Sequence, residues 1–244
     1  MSESGGVAVS ETSSARDETR VRIVAIAAEL VARGGRDALT TRAVAAAAGV
    51  QAPTIYRLFG DKNGLLDAVA EHGFAAYLGK KKLPGLSGDP VEELRAGWDL
   101  HVGFGLANPA LFSLMYGDPR PGVRSPAAVT AFRILQERIR RIAAAGRLRV
   151  SEQKAADLVH AAGSGTVLTL LAMPEDRRDP GLSEAAREAV IVAITTDSPT
   201  LENPGPAAAA IALRAVLPDA AALTAGERHL LEELLDRLAT SRPS

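Results

Sequence analysis

Helix-start signals recur along the chain and constrain its fold more than any other feature of the sequence. An Asp, Asn or Ser stands directly before a proline at Pro90, Pro109 and Pro126, and this pair is typical of the first turn of a helix. Valine, isoleucine and threonine show no alternation of period two that would indicate strands. The sequence therefore predicts an all-α fold with about ten helices.

Stop signals complete this division into helices. Apolar residues at helical spacing form a first helix, which the pair Gly34-Gly35 ends. Thr41 is the predicted cap and Gly49 the predicted end of a helix over 42–48, a further helix covers 52–59, and Asp61 caps the next one. Three helices begin at Pro90, Pro109 and Pro126, and Gly146 ends the last of these. The remaining predicted helices run from Ser151 to Met173, from Ser183 to Thr195 and from Ala207 to Val216, and a final helix starts at a capping box of Thr224 and Glu227.

Composition suggests three segments. Residues 1–15 are rich in Ser, Gly and Thr and lack the basic start and apolar block of a signal peptide, so we expect a disordered tail. The stretch KKKLPGLSGDP separates a domain over 16–80 from a second over 81–244. We find no apolar run of the roughly 18 residues that a membrane span requires, so we expect no membrane partner and a cytoplasmic protein.

Charge and residue content narrow the function. Residues 16–82 hold eleven Lys and Arg but seven Asp and Glu, although the whole chain has a net charge of −1, and this local excess favours a polyanion partner. The chain has no cysteine, and its four histidines lack ligand spacing, so we expect no metal site and no cofactor. We find no GxSxG motif and no phosphate-binding loop, which argues against an enzyme.

The stretch AGVQAPTIYRLFGDK, residues 48–62, has the pattern of a helix-turn-helix. Gly49 would make the turn and Val50 would fill it from the core side, while Ala45, Ala46 and Ala47 would let the helices approach closely. Small residues at the start of the second helix would let backbone amides reach a phosphate. We expect Tyr56 to face outward and Phe59 inward. The alternative is that both rings are ordinary packing in a helical hairpin.

The longer string LTTRAVAAAAGVQAPTIYRLFGDKNGLLDAV, residues 39–69, resembles the DNA-binding domain of the TetR family of bacterial transcriptional regulators. The resemblance implies an N-terminal three-helix helix-turn-helix domain, followed by a larger helical domain for effector binding and dimerisation. It also implies contacts from Thr41, Thr54 and Lys62 to phosphate, from Tyr56 to backbone or base, from Arg42 to guanine and from Pro53 to thymine methyls, with Gln51, Ala52 and Arg57 as further candidates. Ala52, Arg57 and Leu58 occupy positions where other family members have different residues, including some that contact bases. The operator of this chain must therefore differ in sequence from the operators of those members.

The same resemblance implies a homodimer that binds a palindromic DNA operator and releases it when a small-molecule effector binds. The expected dimer interface comprises Ala161, Gly165, Leu168, Ala186, Val190 and Ile194, although the small residues among them also suit a contact within one subunit. The expected ligand residues, of which Trp98, Phe104 and Met115 could instead fill the core, are Trp98, His101, Phe104, Phe112, Met115, Tyr116, Phe132, Arg133, His160 and Ser164.

We therefore expect an effector-responsive regulator, a repressor by family habit, that responds to a largely apolar ligand. The alternative is a helix-turn-helix DNA-binding or adaptor protein that needs no effector.

Overall fold

Eleven α-helices make up nearly all the regular structure of the computed structural model, which describes residues 5–80, 88–117, 124–196 and 206–240. They are α1 (Gly5–Ala38), α2 (Thr41–Ala48), α3 (Ala52–Phe59), α4 (Lys62–Lys80), α5 (Pro90–Ala107), α6 (Pro109–Tyr116), α7 (Pro126–Ala144), α8 (Glu152–Ala172), α9 (Pro180–Ile194), α10 (Pro206–Val216) and α11 (Ala225–Thr240). Within the described ranges no β-strand forms, and only an isolated bridge joins Leu148 to Thr195. The predicted all-α fold is confirmed.

By their contacts the residues fall into two compact units. The first lies within 1–83 and 107–129, and the second within 84–106 and 130–244. The first unit includes α6, which packs against α1 and α4, although α6 follows the domain boundary predicted at residue 80. Most of the predicted linker, residues 81–87, lies outside the described residues.

Helix α1 is interrupted by a kink at Gly34 and Gly35, the pair at which the sequence predicted its end, and a short helical segment continues to Ala38. Gly34 has φ −133° and ψ 15°, and Gly35 has φ 65° and ψ −166°, so the backbone leaves the helical region at this pair. The beginning of α1 at Gly5 falls inside the segment for which the sequence predicted a disordered tail, and residues 1–4 of that segment lie outside the described residues.

The core of the first unit forms where the apolar faces of four helices meet. Residues of α1 pack with residues of α2, α3 and α4 in a single cluster, as the helical spacing of the sequence predicted. Its fully buried members are Ile23, Ala27, Val31, Leu39, Val44, Ile55, Leu65 and Val69.

Two predicted caps are wrong, one by a single residue and the other by four residues. The hydroxyl of Thr40, not Thr41, accepts the Ala43 N–H at 3.1 Å, because Thr40 has the extended backbone of a capping residue. Helix α9 begins at Pro180, and Asp179 accepts the Gly181 N–H at 2.8 Å, so Ser183 is already inside the helix. A capping residue with a proline directly after it is the stronger start signal.

One helix has the length and composition of a membrane span. In α8 the most apolar window has a mean hydropathy of 1.3, and 39% of that window is buried inside the protein. Helix α8 packs against α9. A core helix of a water-soluble protein has the same length and composition, so this feature is weak evidence for a membrane span.

The two neighbouring threonines give a test of the cap. Thr40→Ala is expected to lower the free energy of unfolding by about 1 kcal/mol, because it removes the acceptor at the start of α2. The matched variant Thr41→Ala keeps that acceptor and is expected to change stability by less than half as much. Urea unfolding followed by circular dichroism compares them, and equal losses would contradict the assignment.

Candidate functional site

The turn between α2 and α3 is a left-handed glycine turn. Gly49 has φ 64° and ψ 33°, its N–H donates to the Ala46 carbonyl at 3.3 Å, and the Val50 N–H donates to the Ala45 carbonyl at 2.9 Å. This paired arrangement satisfies the last carbonyls of α2 and turns the chain sharply into α3. The predicted turn residue is confirmed.

The packing face of α2 differs from the prediction in part. Ala45 and Ala48 are buried in the core, whereas Ala46 and Ala47 are exposed. The close approach of the helices therefore involves Ala45 and not the two alanines after it, because a single helical face cannot include three consecutive residues. Val50 packs against the same core, as expected.

The inner face of α3 fixes this helix to the first unit. Ile55 is completely buried, and the half-buried Leu58 and Phe59 pack against the surrounding core. The guanidinium carbon of Arg20 lies 5.3 Å from the centre of the Phe59 ring, which adds a cation–π contact. The inward orientation predicted for Phe59 is confirmed.

The outer face of α3 carries a half-exposed tyrosine. The Tyr56 side chain is 51% exposed, although burial is the usual fate of a large ring, and Pro53 and Arg57 on the same face are exposed as well. The Tyr56 hydroxyl lies 3.5 Å from the Thr41 hydroxyl, which brings the start of α2 next to the middle of α3. The outward orientation predicted for Tyr56 is confirmed.

The amino end of α3 has no side-chain cap. The Thr54 N–H donates to the Gln51 carbonyl at 2.9 Å and Pro53 has no N–H, so the Ala52 N–H is the first-turn donor without an acceptor among the described residues. Gln51 precedes the helix and its side chain makes no capping hydrogen bond. By contrast, α2 is capped by Thr40, and the Asp61 carboxylate accepts the Gly64 N–H at 2.8 Å at the start of α4. The Ala52 N–H and the positive end of the helix dipole make the start of α3 suitable for an anion.

Three exposed cations surround this helix. Arg42 lies on α2, Arg57 on α3 and Lys62 at the start of α4, and none of them forms an ion pair with another residue in the described part of the chain. The remaining predicted DNA contacts, Thr41, Ala52 and Thr54, are half-buried. The nine predicted residues therefore lie on or beside the α2–turn–α3 segment.

The predicted ligand residues divide between the two units. In the first unit, Phe112 and Met115 are buried on α6, and the Phe112 and Tyr116 ring centres are 4.7 Å apart. Burial raises the pKa of Tyr116 to about 12, so its hydroxyl stays protonated at neutral pH. Tyr116 is half-buried, unlike the other two residues.

The second unit brings together ligand candidates from α5 and α8. Trp98 is buried and its indole N–H donates to the Ser183 hydroxyl at 3.1 Å. A Cβ atom at Gly163 would lie 3.6 Å from the Trp98 ring and 3.4 Å from the His101 ring, so the glycine allows α8 to approach these side chains. Burial and, to a smaller extent, the charge of His160 together lower the pKa of His101 to about 4, which keeps His101 neutral at physiological pH.

A second group joins α7 and α8. The Phe132 ring meets the His160 ring edge to face, with centres 5.5 Å apart, and the Ser164 hydroxyl lies 3.5 Å from Nδ1 of His160. Phe104 is buried elsewhere in the unit, while Arg133 is exposed.

Arg138, which was not among the predicted site residues, is buried on α7 with only 8% of its surface exposed. Its Nε atom has no hydrogen-bond partner and no contact with solvent. A signal was present, since Arg138 stands one residue before the buried Ile139 and four before the buried Ile142. A cation on the apolar face of a helix is unusual and marks a position worth explaining.

The predicted dimer residues fall into two classes. Ala161, Gly165 and Leu168 form an exposed row on α8, and Leu168 is 43% exposed. On α9, Val190 and Ile194 are buried within their own unit, whereas Val192, which was not predicted, is 66% exposed. Ala186 is half-buried.

Comparisons with known proteins agree with this geometry. Residues 23–69 match the family model described as bacterial regulatory proteins, tetR family. A tetR family transcription regulator from Shewanella sp. PV-4 has a similar structure, with a TM-score of 0.56 and 21% identity over 73% of this chain and 98% of that chain. A TetR family transcriptional regulator from Agrobacterium tumefaciens has a TM-score of 0.51 and 21% identity over 74% of this chain and 100% of that chain.

A TetR from Streptomyces coelicolor has a TM-score of 0.54 and 19% identity over 70% of this chain and 91% of that chain. A search of curated protein sequences found no match. The structural likenesses establish the fold, and the family match falls on the helix-turn-helix. Residues 23–69 are therefore a helix-turn-helix domain of the TetR type, and the chain has the fold of the TetR family regulators to which it is similar.

Proposed function

We propose that the chain represses transcription by binding a palindromic operator as a homodimer, and that a small, largely apolar effector releases it. The observation that supports this most directly is the outer side of α3. Its amino end is uncapped, Tyr56 is 51% exposed, and Arg42, Arg57 and Lys62 make no ion pair with another described residue.

These features suit the major groove of DNA. Exposed cations without protein counter-charges gain most from phosphates, because no existing ion pair has to be broken. The positive end of the α3 dipole and the Ala52 N–H suit a phosphate oxygen, and the neighbouring Thr41 and Tyr56 hydroxyls can donate to the same group. Arg42 and Arg57 are the candidates for bidentate contact with guanine.

One α3 helix can contact only a small area of DNA, so we propose that two copies of the chain bind together as a homodimer. Two copies related by a two-fold axis would read half-sites about 34–36 Å apart along the DNA. We propose that the exposed row of Ala161, Gly165 and Leu168 on α8, with Val192 on the adjacent α9, forms the interface. Small residues allow close approach of helices, and exposed leucine and valine supply apolar area.

The effector acts by shifting a population of states. One state of the dimer holds its two α3 helices at the spacing of the operator, and another state does not. A ligand that binds the second state more tightly than the first lowers the affinity for the operator, and the ratio of its two affinities limits the size of this effect. We place the ligand in the second unit, where Trp98, His101, Phe132, His160 and Ser164 gather on α5, α7 and α8. This assignment describes a non-enzymatic, cytoplasmic regulator.

DNA selected from a random library by the purified chain provides the probe for the first test. Tyr56→Ala is expected to weaken binding about tenfold or more, because it removes a hydrogen bond to a charged group. Lys62→Ala is expected to weaken binding to all sequences alike and to reduce the slope of log affinity against log salt by about 0.9. Gel shifts at several salt concentrations measure both effects.

The matched control is Lys154→Ala, which changes an exposed lysine of α8 in the second unit. It should leave both the affinity and the salt slope unchanged. Full affinity of the Tyr56 variant, or an unchanged slope for the Lys62 variant, would remove that residue from the proposed interface.

The dimer surface is tested by charge. The double variant Leu168→Glu with Val192→Glu should be monomeric at concentrations where the parent chain is dimeric, since four carboxylates would face each other across the interface. Sedimentation velocity measures the state. Leu230→Glu changes a leucine of α11 that is 58% exposed and should leave the dimer intact. Dissociation by the α11 variant alone would refute the interface.

A further inference from the structure

Arg138 is a largely buried arginine, and its Nε atom has no hydrogen-bond partner in the described part of the chain. Only 8% of the residue is exposed, and its Nε atom touches neither solvent nor an acceptor. Burial lowers the pKa of Arg138, and the charge of Glu93 partly restores it. An arginine nevertheless stays charged in a protein, so this position carries a permanent buried cation. A buried charge is costly unless an opposite charge and hydrogen bonds compensate it.

Glu93 supplies only part of that compensation, because its carboxylate oxygens already accept hydrogen bonds from other donors. Its Oε2 atom pairs with Nη1 of Arg141, and its Oε1 atom accepts the Gly88 N–H at 3.1 Å. The hydrogen bond from Arg141 is the main reason why the pKa of Glu93 is lowered, so this carboxylate is ionised at neutral pH. Two guanidinium groups and one carboxylate leave this cluster with an excess of one positive charge.

The fold makes room for Arg138 on α5. A Cβ atom at Gly97 would lie 2.9 Å from Cζ of Arg138 and 3.2 Å from its Cδ, so a side chain there would require the Arg138 guanidinium to move. The guanidinium therefore lies against bare backbone of α5. Gly97 stands four residues after Glu93 and four before His101, so the three positions share one face of this helix.

The surroundings further along this face are neutral and largely apolar. The pKa of His101 is about 4, so it adds no charge at neutral pH. Gly163 brings α8 against His101 and the buried Trp98. The second unit thus combines one uncompensated cation with aromatic and neutral polar groups on the adjoining turn of α5.

We propose that Arg138 binds the carboxylate of the effector, and that the effector is an organic acid with an apolar body. The planar fork of an arginine matches a carboxylate in bidentate geometry. The ligand charge would neutralise the excess positive charge, and its body would lie among the rings near His101. This inference rests on the proposed effector response and specifies the chemical class of the effector.

Octanoate, 4-phenylbutyrate and benzoate are the probes, each paired with its neutral amide. We expect at least one acid to bind the full chain in calorimetry and its amide to bind about tenfold more weakly or worse, because the amide lacks the charge. Arg138→Met should reduce binding of that acid by a similar factor. The same variant should raise the unfolding midpoint of the ligand-free chain, since it replaces an uncompensated buried charge with an apolar side chain.

Two further variants control the result. Arg177→Met makes the same change at an exposed arginine of the second unit and should alter neither binding nor stability. Arg138→Lys keeps the charge but loses the planar fork, so part of the preference for acid over amide should remain.

The proposal is overturned if no acid binds the wild-type chain, if acid and amide bind equally, or if Arg133→Met and not Arg138→Met abolishes binding. A lower unfolding midpoint of the Arg138→Met chain would also overturn it, since Arg138 would then be a structural partner of Glu93. Binding of the ligand-free protein to selected DNA is measured on the same preparations. If that binding is released by the amides as well as the acids, the regulator assignment stands and only the carboxylate assignment fails.

Discussion

The left-handed backbone at Gly49 is the constraint on which the DNA-binding surface depends. With φ at 64°, this residue turns the chain from α2 into α3 within one step, and a Cβ there would cost roughly 1–2 kcal/mol. The turn fixes which side of α3 meets the core. Ile55 is fully buried in the core, and Tyr56, about 100° further around the helix, lies toward solvent. The exposure of the tyrosine is a consequence of packing.

In the part of the chain that the structure describes, several arginines of the second unit are paired with carboxylates, whereas the arginines around α3 in the first unit are not. In the second unit, arginines are paired in a surface network in which Arg95 and Arg187 both hydrogen-bond Glu188, and the bond from Arg95 contributes most to a pKa of about 2 for that carboxylate. In the first unit, Arg42 and Arg57 have no such partners among the described residues. Charges that are balanced within the protein support packing, whereas unbalanced ones favour an external anion. Arg138 differs from the exposed unpaired arginines of the second unit because it is buried and its Nε atom has no acceptor, and for that reason we assign it a ligand.

Much of the fold could be predicted from local signals, because a cap with a following proline and a glycine after the last turn act within a few residues. Such signals gave the start of α7 and the turn at Gly49. They do not decide between adjacent candidates, so Thr41 was predicted where Thr40 is the cap. Burial depends on distant partners. The sequence singled out Arg133 among the arginines of α7, whereas the side chain that enters the core is Arg138, and only Gly97 on another helix explains how it fits.

Hydrogen exchange of the full chain with and without the selected duplex tests the central claim, that the outer side of α3 contacts DNA. We predict slower exchange at the amides of residues 51–57 and at the starts of α2 and α4, with no change in residues 206–240. Peptides from a chain mixed with an unrelated duplex at high salt should show no protection. Protection confined to the second unit, with the amides of α3 exchanging as fast as in the free protein, would contradict the account.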